Sequence, residues 1–167
     1  MRKKNEGMSF IELVLIIVII AILSTGGIAI YNSLGYAKTK KAANHINDSL
    51  SKARIETMSK KGIQYLYLYQ IGGKPYSKLS PVEALSIGVY GELTAAEGME
   101  YSPNITLKYK TDTGASHELG DNESICLSFV KSSGAFASNY SEIILESGND
   151  SSTIRCIKET GRHWIYN

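Results

Sequence analysis

Phe10 to Ile30 reads FIELVLIIVIIAILSTGGIAI, and this stretch decides how the rest of the chain is read. Its 21 residues, coiled as a helix, rise about 30 Å, the thickness of a bilayer's hydrocarbon core. Immediately before it stands a short basic leader, MRKKNEG, with Arg2, Lys3 and Lys4. The positive-inside rule predicts a cytoplasmic N-terminus, with everything beyond about residue 31 outside the membrane. Two ordinary readings compete for the run. A secretory signal peptide would be shorter and end at a small-x-small cleavage site, which Ala21, Ser24 and Gly26 imitate. A plain signal anchor fits both length and orientation. Neither explains Glu12. A carboxylate costs about 2.5–3.5 kcal/mol at the centre of a membrane helix and less near its end, so an acid in this position points to function.

Gly7 to Leu23, GMSFIELVLIIVIIAIL, resembles the N-terminus of type IV prepilins and type II secretion pseudopilins. That family combines a basic leader ending in Gly, a five-residue stretch ending in Glu, and a long apolar helix. The resemblance implies cleavage between Gly7 and Met8 by a prepilin peptidase, followed by N-methylation of Met8 by the same enzyme. Most members carry Phe where this chain has Met8. Glu12, fifth after the cut, matches, and the resemblance gives it the role of setting subunit register in a filament. The physics agrees. Cleavage leaves an amine at the membrane edge, and pairing it with Glu12 of an adjacent subunit offsets the cost of burying each charge alone. The implied partners are the peptidase, other pilin subunits in a helical filament, and an assembly ATPase acting through a membrane platform, with membrane lipid as the surroundings before assembly. The implied location is a single-pass membrane protein with its head outside the cytoplasm, then a pilus or pseudopilus.

The whole chain has 167 residues, 18 basic and 16 acidic, and a formal charge of +2. All of that excess sits in the leader, so the mature chain would be neutral. Such a balance argues against a protein that coats nucleic acid. Two cysteines are too few for a disulfide-stapled miniprotein, and the three histidines make no metal-binding spacing. No His-Glu-x-x-His, Gly-x-Ser-x-Gly, Walker or Gly-x-Gly-x-x-Gly motif is present, so neither catalysis nor a cofactor is expected.

Beyond the apolar run the helix is expected to continue. Gly26 and Gly27 could provide a flexible point or allow close helix packing. From about Ala37, the residues Ala43, Ile46, Leu50, Ala53 and Thr57 recur at the spacing of one buried stripe. Gly62 is the expected stop, after Lys60 and Lys61 at the negative end of the dipole. The Lys38, Lys40, Lys41 cluster reads as a solvated face, with phosphate or lipid head-group binding as the alternative. The expected divisions are a leader at 1–7, a membrane and filament-core helix at 8–35, its amphipathic half at 36–61, and a β-rich head at 62–167.

The head reads as a fold of the α+β class. Gln64 to Ile71 alternates, with Tyr65, Tyr67 and Tyr69 on one face and Leu66 and Leu68 on the other, before a Gly72-Gly73 turn. The tyrosine stripe is expected to pack on the sheet, with base stacking or a neighbouring subunit as alternatives. Pro81 to Leu85 could form a short helical turn. Further strands are predicted near 105–109, 125–130, 142–146, 153–158 and 163–166, the last four as a meander of sequence neighbours. The half-helix would cover the apolar face of the resulting antiparallel sheet, which gives a type IV pilin-like architecture.

Leu50-Ser-Lys-Ala-Arg54-Ile-Glu56 followed by Gly62 is similar to a segment of GspH/FimT-type pseudopilins and minor pilins, although Thr57 departs from the usual Ala. Ser133-Gly134-Ala-Phe136 and the tail Thr153-Ile-Arg-Cys-Ile-Lys-Glu-Thr-Gly161-Arg162 are similar to their C-terminal third. Some relatives bind DNA through a basic tail, so Arg155, Lys158, Arg162 and His163 are the corresponding DNA-contact candidates, with Trp164 interrupting them. Cys126 and Cys156 fall on predicted strands outside the membrane. An oxidised pair there would stabilise by roughly 3–4 kcal/mol through loop closure, and two buried thiols are the alternative.

Overall fold

A computed structural model describes residues 9–59, 62–88 and 93–166, with the helical stretch 23–34 described by its backbone only. The chain divides into two compact units, Met1–Leu34 and Gly35–Asn167. One helix, α1 (Phe10–Met58), contributes to both. Among the described residues it is followed by nine strands, and the class is α+β.

The second unit is built on the amphipathic part of α1. Ala43, Ile46, Leu50, Ala53 and Thr57 are all completely buried, because steps of three and four residues keep them on one face. The helix ends at Met58, earlier than expected; Lys60 and Lys61 lie outside the described residues. Gly62 adopts a left-handed φ of 110°, and the Gln64 amide donates to the Thr57 hydroxyl at 2.9 Å. A buried polar stripe residue thus satisfies the chain leaving the helix.

Two antiparallel sheets face the helix, where the sequence suggested one. The first has the order β3 (Met99–Glu100), β2 (Lys74–Ser80), β1 (Tyr65–Ile71), β6 (Ser124–Ser128). The second has the order β5 (Ser116–Glu118), β4 (Thr106–Thr111), β7 (Tyr140–Ser147), β8 (Asp150–Ile157), β9 (Arg162–Tyr166). The expected four-strand meander holds from β7 to β9 only. β6 leaves it and pairs with β1, Leu66 opposite Leu127 and Leu68 opposite Ile125. The reason is facial matching. The leucines of β1 and the apolar residues of β6 lie in one buried cluster with the α1 stripe, Leu107, Ile143, Leu145 and Ile154.

The tyrosine face of β1 is covered by the chain itself. Tyr65, Tyr67 and Tyr69 form a second buried cluster with Tyr76 and Leu93. Their hydroxyls are satisfied by residues 82–94: Tyr67 donates to the Val82 carbonyl at 2.9 Å and Tyr69 to the Thr94 carbonyl at 2.8 Å. These rings are unavailable for base stacking. Residues 81–85 form bends instead of the expected helical turn, with Ala84 in the left-handed region at φ 62°.

Turn chemistry fixes the hairpins. Gly72 and Gly73 both have positive φ, as a two-residue β1–β2 turn matched to strand twist requires.

Candidate functional site

Gly7 and Met8, the residues of the expected cleavage site, lie outside the described residues. α1 starts directly after Ser9, whose carbonyl accepts from the amides of Glu12 at 3.0 Å and Leu13 at 3.2 Å. Ser9-Phe10-Ile11-Glu12 therefore has the S-x-x-E spacing of a helix N-terminus, and Glu12 lies in the first turn, where the dipole favours an anion. Its side chain is exposed and forms no ion pair among the described residues.

Around Glu12 the helix is apolar on every side. From Phe10, 83% exposed, through Ile22, 66% exposed, each large apolar side chain faces outward. There is no polar face among them, so this surface is not the stripe of a helix covering a core. Among the described residues no helix is long and apolar enough to cross a membrane; the described side chains of the run stop at Ile22.

In the head, the segments quoted for their family likeness meet. Arg54 of α1 donates from Nε to the Gly134 carbonyl at 3.0 Å and from Nη2 to the Thr160 carbonyl at 2.9 Å. One guanidinium thus ties the helix to the turn before Phe136 and to the β8–β9 turn. Gly161 lies against Gly134 so closely that a Cβ would overlap the Gly134 carbonyl oxygen, and both glycines have left-handed φ, 65° and 66°. The Gly-Arg turn is in this fold a packing requirement.

The four DNA-contact candidates separate. His163 turns inward: its Nε2 lies 2.9 Å from the Ser51 hydroxyl and its Nδ1 3.1 Å from the Gly161 carbonyl, with its ring beside Phe129 and Phe136. Burial holds its pKa below the ordinary imidazole value, against the Gly161 carbonyl and with a smaller contribution from the Arg54 charge. It is a half-buried histidine with both ring nitrogens already engaged. Lys158 is engaged by Asp112 at 3.0 Å and by the Asn139 side chain. Arg155 and Arg162 are exposed, on the same sheet face as Trp164, because alternation from the buried Ile154 and Cys156 places them outward. Nearby, Lys110 holds Glu142 at 2.7 Å and keeps its carboxyl below the usual carboxylate range, with help from the Tyr166 hydroxyl.

The disulfide expectation is corrected: Cys126 and Cys156 are free thiols. Alternation separates them. On β6, Ile125 and Leu127 occupy the main core, so Cys126 points to the tyrosine cluster on the opposite face. Cys156, on the other sheet, points into the main core, where burial pushes its thiol up to about 12.

Sequence reasoning missed a contact network between α1 and the first sheet. The Tyr101 hydroxyl lies 2.7 Å from both His45 Nδ1 and Ser77 Oγ. No local motif marks it, because the three residues come from a helix, a strand and a loop.

No family model matches the chain, and neither does any curated protein or solved structure.

Proposed function

We propose that the chain is a type IV pilin-like structural subunit, a minor pilin or pseudopilin, processed by a prepilin peptidase and assembled into a pilus or pseudopilus. The observation that carries this reading is the N-terminal part of α1: apolar on all sides, with a single carboxylate, Glu12, in its first turn. Such a surface needs lipid before assembly and other apolar helices after it. The α+β head, an amphipathic helix segment covered by two antiparallel sheets, is compatible with a pilin-like fold. In this reading the protein anchors and assembles, and catalyses nothing.

Processing gives the direct test. Intact mass of the membrane-extracted protein should correspond to a chain beginning at Met8 with one added methyl group. Gly7→Val should keep the leader attached, because a peptidase cutting there must approach the backbone closely. A mature Met8 terminus in that variant, or an uncleaved wild-type chain in cells with the peptidase, counts against the assignment.

A DNA-uptake role is the second reading. Arg155 and Arg162 share an exposed face with Trp164, and cations beside an exposed ring suit nucleic acid. Binding of single-stranded DNA that weakens steeply with salt and is lost in Arg155→Gln/Arg162→Gln would support it. A membrane-anchored domain that is never assembled is distinguished by its absence from sheared filaments.

A further inference from the structure

The α1 surface that reads in sequence as a solvated lysine cluster is divided by the structure. Lys40 leans over the Tyr36 ring, its Nζ 5.4 Å from the centroid. Lys38 and Lys41 instead line a cavity of about 270 Å³ between α1 and the chain following β3. Positions 38, 41, 42 and 45 fall together because they are spaced by three and four residues. Neither lysine has an ion-pair partner among the described residues.

The remaining polar wall holds His45, Glu100, Tyr101 and Ser102. Tyr101 is buried and keeps its proton, its pKa pushed up to about 12 by desolvation. Its hydroxyl can donate to His45 Nδ1 while accepting from the Ser77 hydroxyl, both at 2.7 Å. Burial favours neutral His45 against the opposing pull of Asp48, and an imidazole accepting at Nδ1 must carry its proton on Nε2. In that tautomer His45 presents its Nε2 proton as a donor. The one carboxylate on that wall, Glu100, is already held by Lys74 at 2.8 Å and by the Tyr76 hydroxyl at 3.2 Å. Ala42, Met99 and Ile105 supply apolar surface beside these groups.

We propose that this cavity binds the phosphate of a small phosphate ester, the anion held by Lys38, Lys41 and His45, and the ester's carbon atoms resting on Ala42, Met99 and Ile105. Two lysines without ion-pair partners among the described residues, beside His45, favour an oxyanion. The volume lies just under the roughly 300–1,000 Å³ of larger ligand sites, which suits a head group or a glycerol phosphate. A phospholipid head group as the source rests on the membrane reading of residues 10–30; the anion site itself does not.

The test uses the full chain in maltoside micelles, which contain no phosphate. The His45 ring resonance, assigned with His45→Gln, is followed by NMR while glycerol 1-phosphate is added, and separately while phosphatidylglycerol is mixed into the micelles. A saturable shift in both arms assigns the site to phosphate esters generally. A shift only with the lipid assigns it to a head group, and one only with the soluble ester to a solute. In each case Lys38→Gln/Lys41→Gln should weaken binding at least about tenfold, with Lys40→Gln unchanged. No saturable shift in either arm, an equal response to glycerol alone, or an equal loss in Lys40→Gln overturns the proposal. Loss of leader processing would leave the glycerol phosphate result untouched, so the two readings fail separately.

Discussion

Gly161 shows how a short sequence likeness becomes a physical requirement. Its φ of 65° already disfavours any side chain, and the Gly134 carbonyl occupies the place where a Cβ would sit. Backbone cannot swing aside as a side-chain end can. Gly161→Ala should therefore cost about 3 kcal/mol or more, through left-handed strain plus loss of the Arg54 clamp. Gly114 is the control: its φ is 82°, but no atom lies within 4 Å of its added Cβ. Gly114→Ala should cost only about 1–2 kcal/mol. Denaturant midpoints of the two variants check the difference, and equal midpoints would remove packing from the explanation. His163 adds a pH dependence. Its folded pKa is depressed below 6.5 by burial, so the unfolded chain binds its proton more readily. Its contribution to stability is complete above pH 6.5 and is lost as pH falls through the lower folded value. Arg54, which also faces the ring, acts in the same direction. His163→Gln should flatten the loss of stability on acidification, and the part that remains should contain the contribution of His45, which burial also depresses. A variant with the wild-type acid slope would show that His163 titrates as an exposed group.

At the scale of elements, the readable parts were those governed by period and by turn residues. Ala43, Ile46, Leu50, Ala53 and Thr57 announce the buried stripe by spacing alone, and Gly72-Gly73 announces its hairpin. Partner choice was not readable, because β6 looks the same in sequence whether it pairs with β7 or with β1. Only the joint burial of Leu66, Leu68, Ile125 and Leu127 against α1 selects β1, and that is a long-range property. The cysteine error came from the same source. Two thiols on predicted strands looked bridgeable until pairing put them on separate sheets, with Cys126 outside the main core and Cys156 within it. The site was legible only where its residues are contiguous. Glu12 and the apolar run declare themselves, whereas Lys38, Lys41, His45 and Tyr101 are gathered by folding. The separation of the cysteines has a direct consequence. Alkylation of the denatured, unreduced protein should label two thiols per chain, even when the chain is recovered from an oxidising compartment. Incorporation of no label would mean that a bridge forms and that β6 or β8 sits in a different register.

Across the whole molecule, the two units carry different demands. The head has two buried apolar clusters of its own, while Phe10 to Ile22 leaves every large apolar side chain outward and one carboxylate among them. Glu12→Val separates the two ways in which that segment could be used. Removing the charge makes the helix more apolar, so membrane insertion should be as good or better. Processing should persist if the peptidase reads the leader and Gly7. Filament incorporation should fall, because the Met8 amine of a neighbouring subunit would be buried without its counter-ion, a cost of several kcal/mol. A bare anchor has no such neighbour and should show no defect. The measurement is the ratio of sheared-filament to membrane-fraction protein for Glu12→Val and wild type, in cells without another copy of the gene. Glu12→Gln sharpens the comparison, since it keeps the size and polarity of the side chain while removing the charge. If register depends on charge pairing, both variants lose incorporation. If Gln restores it, Glu12 acts through hydrogen bonding at the helix N-terminus, where Ser9-x-x-Glu12 has the capping spacing and Gln can replace Glu. An unchanged ratio in both would deprive the carboxylate of any part in assembly, leaving the apolar surface alone to hold subunits together without fixing their axial step.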